Sequence, residues 1–300
     1  MARIVSVFGV TMAVVGVMAP RPALSQTDHA ADGHGHASAP VSCTTLASPP
    51  WSGLNDADRL QFASLQRTMA ALQTPEAARA AGFNPALGNI PGMGVHYVHG
   101  ARSRDPVNID EPDHLMFSTI DGQERLVGAA FAFIDVPDTD EPIPFQSELA
   151  QWHDHPQFAA EGRTLHMLHV WFIPSSNGPF AGLNFWLPYH AADIATPSSC
   201  WMADEADANR IQNVSFALVP PSARRGPEAL ERYAERQAER SELLAALDAA
   251  ALAVDHDAWV AAADVFLADL TTVEERTVAM LLNRLNMAQM SSGERGGNSN

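Results

Sequence analysis

The sequence predicts an α+β protein: a mostly antiparallel sheet, N-terminal helices before it and a helical C-terminal segment after it. Three observations predict this. Residues 55–82 carry helix start and stop signals around an apolar stripe. Residues 91–220 hold short runs of Val, Phe, Tyr, Trp and Ile divided by Pro, Gly, Asp and Asn. Beyond Pro220-Pro221, Leu and Ala mix with Glu and Arg at helical spacing.

Residues 1–25 read as a signal peptide. Arg3 gives a positive start, Ile4–Ala19 is apolar apart from Ser6 and Thr11, and Ala23-Leu24-Ser25 offers small residues for cleavage before Gln26. The run is slightly short for a membrane span. The mature chain is therefore expected to be periplasmic or secreted, with no membrane attachment after cleavage. Residues 26–42 form an Ala-, Gly- and His-containing linker with nothing to bury, expected to be disordered. Its His29, His34 and His36 could bind a borderline metal only weakly.

The core domain is expected over 43–222. Asn55 or Asp56 caps a helix bearing Leu60, Phe62, Leu65, Met69 and Leu72. Thr74-Pro75-Glu76 opens a second, short helix that Gly82 stops. Strands are expected at Val95–His99, His114–Ile120, Arg125–Ile134, Leu165–Ile173 and Ser215–Val219, with a hairpin turn at Asp121-Gly122. Leu165–Ile173 is apolar on both alternating faces, as a central strand covered on both sides would be. The segment 223–292 is helical: one amphipathic helix with Leu230, Tyr233, Leu243, Leu244 and Leu247, a second capped by Asp255 or Asp257, and a third opened by Thr272-Val273-Glu274-Glu275. Residues 293–300 are a polar, disordered tail.

Composition removes several function classes. All 18 basic residues are Arg, so lysine Schiff-base chemistry and a P-loop lysine are excluded. The net charge of −17 argues against a nucleic-acid partner. Two cysteines in an exported chain, Cys43 and Cys200, suit one long-range disulfide, whose loop closure is worth about 4–5 kcal/mol in the chain-entropy account. There is no G-x-S-x-G elbow, no dinucleotide fingerprint and no H-E-x-x-H.

What remains is histidine. Eight lie between positions 96 and 190: His96, His99, His114, His153, His155, His166, His169 and His190. Imidazole is the commonest metal ligand and suits zinc, copper, nickel and iron. Residues three apart on a strand point to opposite faces, so His96 and His99 cannot share a site, nor can His166 and His169. His153 and His155 share a face if the chain there is extended. A metal site is therefore expected from His96, His169 and one of His153 or His155, with Glu148 or Asp154 as a fourth ligand or supporting acceptor. Met93 and Met167 near by favour copper. His99, His114 and His190 are expected to be ordinary core histidines.

Several segments carry a resemblance: Thr74–Phe83 (TPEAARAAGF), Gly92–Val98 (GMGVHYV), Arg125-Leu126-Val127-Gly128, Leu168-His169-Val170-Trp171 and Asn177–Ala181 (NGPFA). In these the chain resembles a group of exported bacterial proteins of unassigned activity. The resemblance covers roughly residues 60–200 and implies a shared fold, with His96 and His169 at matching positions, and no reaction. Where that group has an acid, in a Glu-Tyr pair, this chain reads Ala129-Ala130-Phe131.

The residues thus predict an exported metal-binding protein using a histidine cluster, with copper or zinc as ion. Two alternatives stand beside it. One is a metal-dependent hydrolase or oxidase whose cleft is lined by Trp152, Trp171, Phe180, Phe185 and Trp186. The other is a non-metal ligand-binding or interaction module, with a homo-oligomer formed through the C-terminal helices.

Overall fold

The structure, a computed structural model, describes residues 45–86, 88–102, 108–135, 142–160, 162–220 and 226–270. Helix α1 (Asp56–Thr68) starts where Asn55 turns its side chain back to accept from the Asp58 amide at 2.9 Å. Helix α2 (Pro75–Ala80) starts with Thr74 accepting from the Ala77 amide. It ends as the glycine signal requires: Gly82 takes φ +96°, which lets the Phe83 amide reach back to the Ala78 carbonyl.

Six strands follow: β1 (Asn84–Pro85), β2 (Val95–Val98), β3 (His114–Ile120), β4 (Gln123–Asp135), β5 (His153–Ala160) and β6 (Arg163–Trp171). They form one antiparallel sheet in the order β1-β2-β3-β4-β6-β5. The β3–β4 hairpin turns on Asp121 (φ 50°) and Gly122 (φ 70°), both left-handed as a tight two-residue turn demands. The fold is α+β, with helices before the sheet and after it. Strand β6 lies between β4 and β5, buried along most of its length, as its two-faced apolarity predicts.

The two faces of the sheet differ. The cross-strand pairs Leu115↔Ala129, Ala129↔Val170 and Phe131↔Leu168 put one set of side chains on the first face. There they join Phe62 and Leu65 of α1, with Trp51 and Phe83, in the larger apolar cluster. Phe62, Phe145 and Phe180 meet at centroid distances of 4.7–5.5 Å in this layer. Asp58 is buried beside it, its carboxylate accepting from the Gln146 and Ser147 amides at 2.7 and 2.8 Å. The second face carries the histidines.

Two expectations need correction. Ser215–Val219 is not a strand: helix α4 (Glu205–Ala217) runs into it, capped by Asp204, and Val214, Phe216 and Leu218 are buried among helices. Its β-like composition yields to helical packing, as propensity does when burial opposes it. The expected single helix through Leu230 and Leu247 is two, α5 (Pro227–Glu239) and α6 (Ser241–Leu252), divided at Arg240, which is buried and bonded to Asp269. Helix α7 (His256–Ala268) has Asp255 as its cap. The sequence did not single out α3 (Leu187–Ala191). A second apolar cluster joins Phe185, Trp186 and Tyr189 to α4, α6 and α7 through Ile211, Leu247, Trp259 and Phe266. The Tyr189 hydroxyl donates to the Ile211 carbonyl, and Asp248 accepts from the Ala195 amide, tying this layer together. The leader, the histidine-containing linker, Cys43, the third C-terminal helix and the tail lie outside the described residues.

Candidate functional site

Strand periodicity and register decide what the second face presents. Across β2–β3, His96 pairs with Met116, and His114 shares a face with Met116 two residues on. Across β3–β4, His114 pairs with Ala130 and Met116 with Gly128. Across β4–β6, Ala130 pairs with His169, Ala132 with Met167 and Gly128 with Trp171. Across β6–β5, Met167 pairs with His153, and Leu165 with His155. Paired residues and residues two apart share a face. Five histidines, His96, His114, His153, His155 and His169, therefore stand on one face. Strand β4 beneath them carries only Gly128, Ala130 and Ala132.

That small-residue floor lets the imidazoles lean together over the strand. The His169 ring centroid lies 4.8 Å from that of His153 and 5.6 Å from that of His96. His153 and His155 are 4.9 Å apart, and His96 and His114 6.1 Å. Position 130 is Ala between His114 and His169 in the register.

All five rings are buried, none more than 8 % exposed. A segment running from β6 to α3 passes over His169. The Trp171 indole donates to the Ala181 carbonyl, and the His169 Nδ1–H donates to the Gly182 carbonyl at 2.8 Å. That bond fixes the His169 tautomer and leaves Nε2 as a bare lone pair. Asn184, fully buried, anchors the segment. Its amide donates to the Pro174 carbonyl at 2.8 Å, and its carbonyl oxygen accepts from the Ser176 and Trp186 amides.

Among the described residues, His169 Nε2, His153 Nε2 and His96 Nδ1 are buried with no hydrogen-bond partner. Burial, reinforced by the neighbouring imidazoles, depresses the basicity of His96, His153, His155 and His169. His96 is pushed down to about 3 and His155 to about 4, while His153 and His169 fall well below the usual histidine value. The four are neutral at pH 7, the form that coordinates metals. His114 is held differently: its Nδ1 lies 3.0 Å from Asp113 Oδ2, while Asp113 Oδ1 accepts from the Ala132 amide.

The expected set His96, His169 and His153 or His155 is thus brought together, and both members of the β5 pair take part. The opposed histidines separate as their spacing requires. His99 packs on Phe83, and His166 stacks on Phe133 with Asp154 2.8 Å from its Nδ1. Asp154 therefore serves the other face and Glu148 is exposed, so neither is at hand as a ligand. Met93 belongs to the helical cluster, while Met167 is on the histidine face. His114 and Met116 are the residues the sequence did not assign to the site. The register that brings them in depends on strand partners, and no local pattern names those partners.

Imidazoles sharing one tetrahedral ion at about 2.0–2.1 Å per Zn–N bond hold their centroids about 5 Å apart. The separations around His169 are of that order. Among the described residues, no three His, Cys, Asp or Glu side chains are already drawn into an ion-holding set, so coordination requires the rings to turn inward. Cys200 sits in the 3₁₀ turn Ser199–Ala203.

The class these features define is an α+β protein with a buried, histidine-lined sheet face. Comparison with protein-family models, with curated proteins and with solved structures finds no match to this chain.

Proposed function

We propose that this chain is an exported, periplasmic metal-binding protein whose site is the imidazole cluster around His169, with His96 and His153 as co-ligands and His155 and His114 beside them. Copper or zinc is the ion this nitrogen set suits. The observation that carries the reading is a group of three neutral imidazoles, each with a bare, buried ring nitrogen: the His169 centroid lies 4.8 Å from that of His153 and 5.6 Å from that of His96. An unpartnered buried nitrogen costs about 1–3 kcal/mol, and a metal removes that cost. His169 also has the arrangement usual for ligating histidines, its second nitrogen held by a carbonyl. Burial of every ring favours a site that holds an ion over one that opens a coordination position to water for hydrolysis. Export rests on the leader sequence. Among the described residues no helix is long and apolar enough to cross a membrane. The Cys43–Cys200 pairing is part of the same proposal.

The test is metal analysis and thermal unfolding of the mature, metal-stripped protein with added zinc or copper. Binding with about 2.7 kcal/mol of stabilisation at a hundredfold excess over Kd is the expected result. It should be lost in His169→Ala and His96→Ala. A protein that takes up neither ion and gains no stability from either overturns the proposal.

A further inference from the structure

Five imidazoles are not the only donors on this face. Met116 and Met167 are buried in it, each directly cross-strand from an outer histidine: Met116 from His96, Met167 from His153. Directly opposed side chains on one face have Cβ atoms about 4.5–5.5 Å apart, within reach of a flexible thioether. Met116 extends across the floor, its methyl lying where a Cβ on Gly128 would be, 2.5 Å from that position. The absence of a side chain at residue 128 is what leaves room for the Met116 methyl on this face.

Charge is scarce here. Of the carboxylates weighed as ligands, Asp154 faces away and Glu148 is exposed, while Asp113 is committed to His114 and to the Ala132 amide. An ion entering beside His169 therefore meets imidazole nitrogen and thioether sulfur donors, with the Asp113 carboxylate set back behind His114. The Born cost of burying an ion rises with the square of its charge, so such a layer disfavours an uncompensated dication more than a monocation. Thioether sulfur and imidazole together select the soft cuprous ion, whereas zinc sites typically recruit thiolate or carboxylate.

Building on the metal-binding reading, we propose that the physiological ion is copper(I), and that Met116 and Met167 supply thioether donors to it beside His96, His153 and His169. The ion enters and leaves as copper(I), with no change in its oxidation state. Zinc binds the imidazoles alone and gains nothing from the sulfurs.

The experiment titrates the metal-free mature protein under anaerobic conditions with copper(I) against a cuprous chelator, and separately with zinc against a zinc indicator. It compares wild type, Met116→Leu, Met167→Leu, the double variant and His169→Ala. Leu is close to Met in volume, so the variants should fold, and far-UV circular dichroism checks this. The expected result is tighter binding of copper(I) than of zinc. Copper(I) affinity should fall by about tenfold or more in the double Leu variant, the scale on which loss of a supporting group acts, with zinc affinity unchanged. X-ray absorption of the copper-loaded wild type should show sulfur scattering that the double variant lacks. Copper(I) binding indifferent to both methionines, or zinc bound more tightly than copper(I), overturns this inference and leaves the histidine site standing. Failure of both ions to bind overturns the two together.

Discussion

Acidifying the metal-free protein from pH 7.5 to 5.5 should remove about 5 kcal/mol of stability, and the histidine face is the cause. His96 and His155 protonate in the folded state only near 3 and 4, and His153 and His169 only well below their ordinary value. In the unfolded chain all four protonate near 6.5. The sign follows from linkage. Between those values the unfolded state binds more protons, so stability is intact above about 6.5 and falls as pH decreases. Each group contributes at most about 1.4 kcal/mol per pH unit. Over this interval, which straddles the unfolded value, each loses about that amount in total, and four lose about 5 kcal/mol. Net stability of folded domains is only about 5–15 kcal/mol, so the effect should bring the protein close to unfolding. His190, also depressed by burial, acts in the same direction. His256, raised by its bond to Asp207, acts in the opposite one, but it is only half-buried and screened. The assay is urea unfolding followed by circular dichroism at pH 7.5, 6.5 and 5.5, on wild type and His169→Asn. The variant should lose about a quarter of the pH dependence. A midpoint that does not move with pH, or a variant with the wild-type slope, refutes the reasoning.

Three further outcomes are expected. Gly128→Ala should cost about 1–3 kcal/mol in urea unfolding, because its new Cβ would come within 2.6 Å of the Val170 carbonyl oxygen, which is backbone, besides displacing Met116. Asn184→Ala should cost about 2–4 kcal/mol by removing a buried hub of hydrogen bonds. It should also speed amide exchange at Ser176 and Trp186, read by hydrogen-exchange mass spectrometry. Non-reducing peptide mapping of the mature protein should recover a single Cys43–Cys200 cross-linked peptide, and reduction should lower the thermal midpoint by an amount corresponding to about 2–4 kcal/mol.

How far the sequence disclosed this arrangement depended on the range of the interaction. Short-range chemistry was legible. The caps at Asn55, Thr74 and Asp255, the left-handed stop at Gly82 and the Asp121-Gly122 turn each follow from one or two residues and their immediate neighbours. Period-two geometry separated His96 from His99 and His169 from His166 before any strand was paired. Long-range pairing was not legible. The chain places β6 between β4 and β5, and that order brings Ala130 between His114 and His169. Without the order, His114 reads as one more core histidine, and Gly128 and Ala130 read as ordinary small strand residues. The same limit explains Ser215–Val219: its Val, Phe and Leu suit a strand locally, but contacts with Tyr189 and the later helices hold it helical.

The energetics of the metal-free face bear on what it is for. A core selected for stability alone fills its volume with apolar side chains, and replacing buried polar groups by apolar ones of similar shape is commonly neutral or favourable. Here Gly128, Ala130 and Ala132 leave room that imidazoles occupy, and three ring nitrogens are left without a partner. At about 1–3 kcal/mol each, those nitrogens subtract an amount comparable with the net stability of many domains. The helical layer of the same protein is mixed: the Trp186 and Trp259 indoles and the Ser215 hydroxyl are buried without partners among the described residues, at scattered positions. Tyr189, equally buried, has its hydroxyl satisfied by the Ile211 carbonyl, and its surroundings are Trp, Phe and Leu. Unpartnered buried atoms occur in both layers, but around His169 several of them are imidazole lone pairs on neighbouring rings. Functional sites break local rules in this concentrated way, and a ligand that takes several of those lone pairs at once supplies the missing compensation.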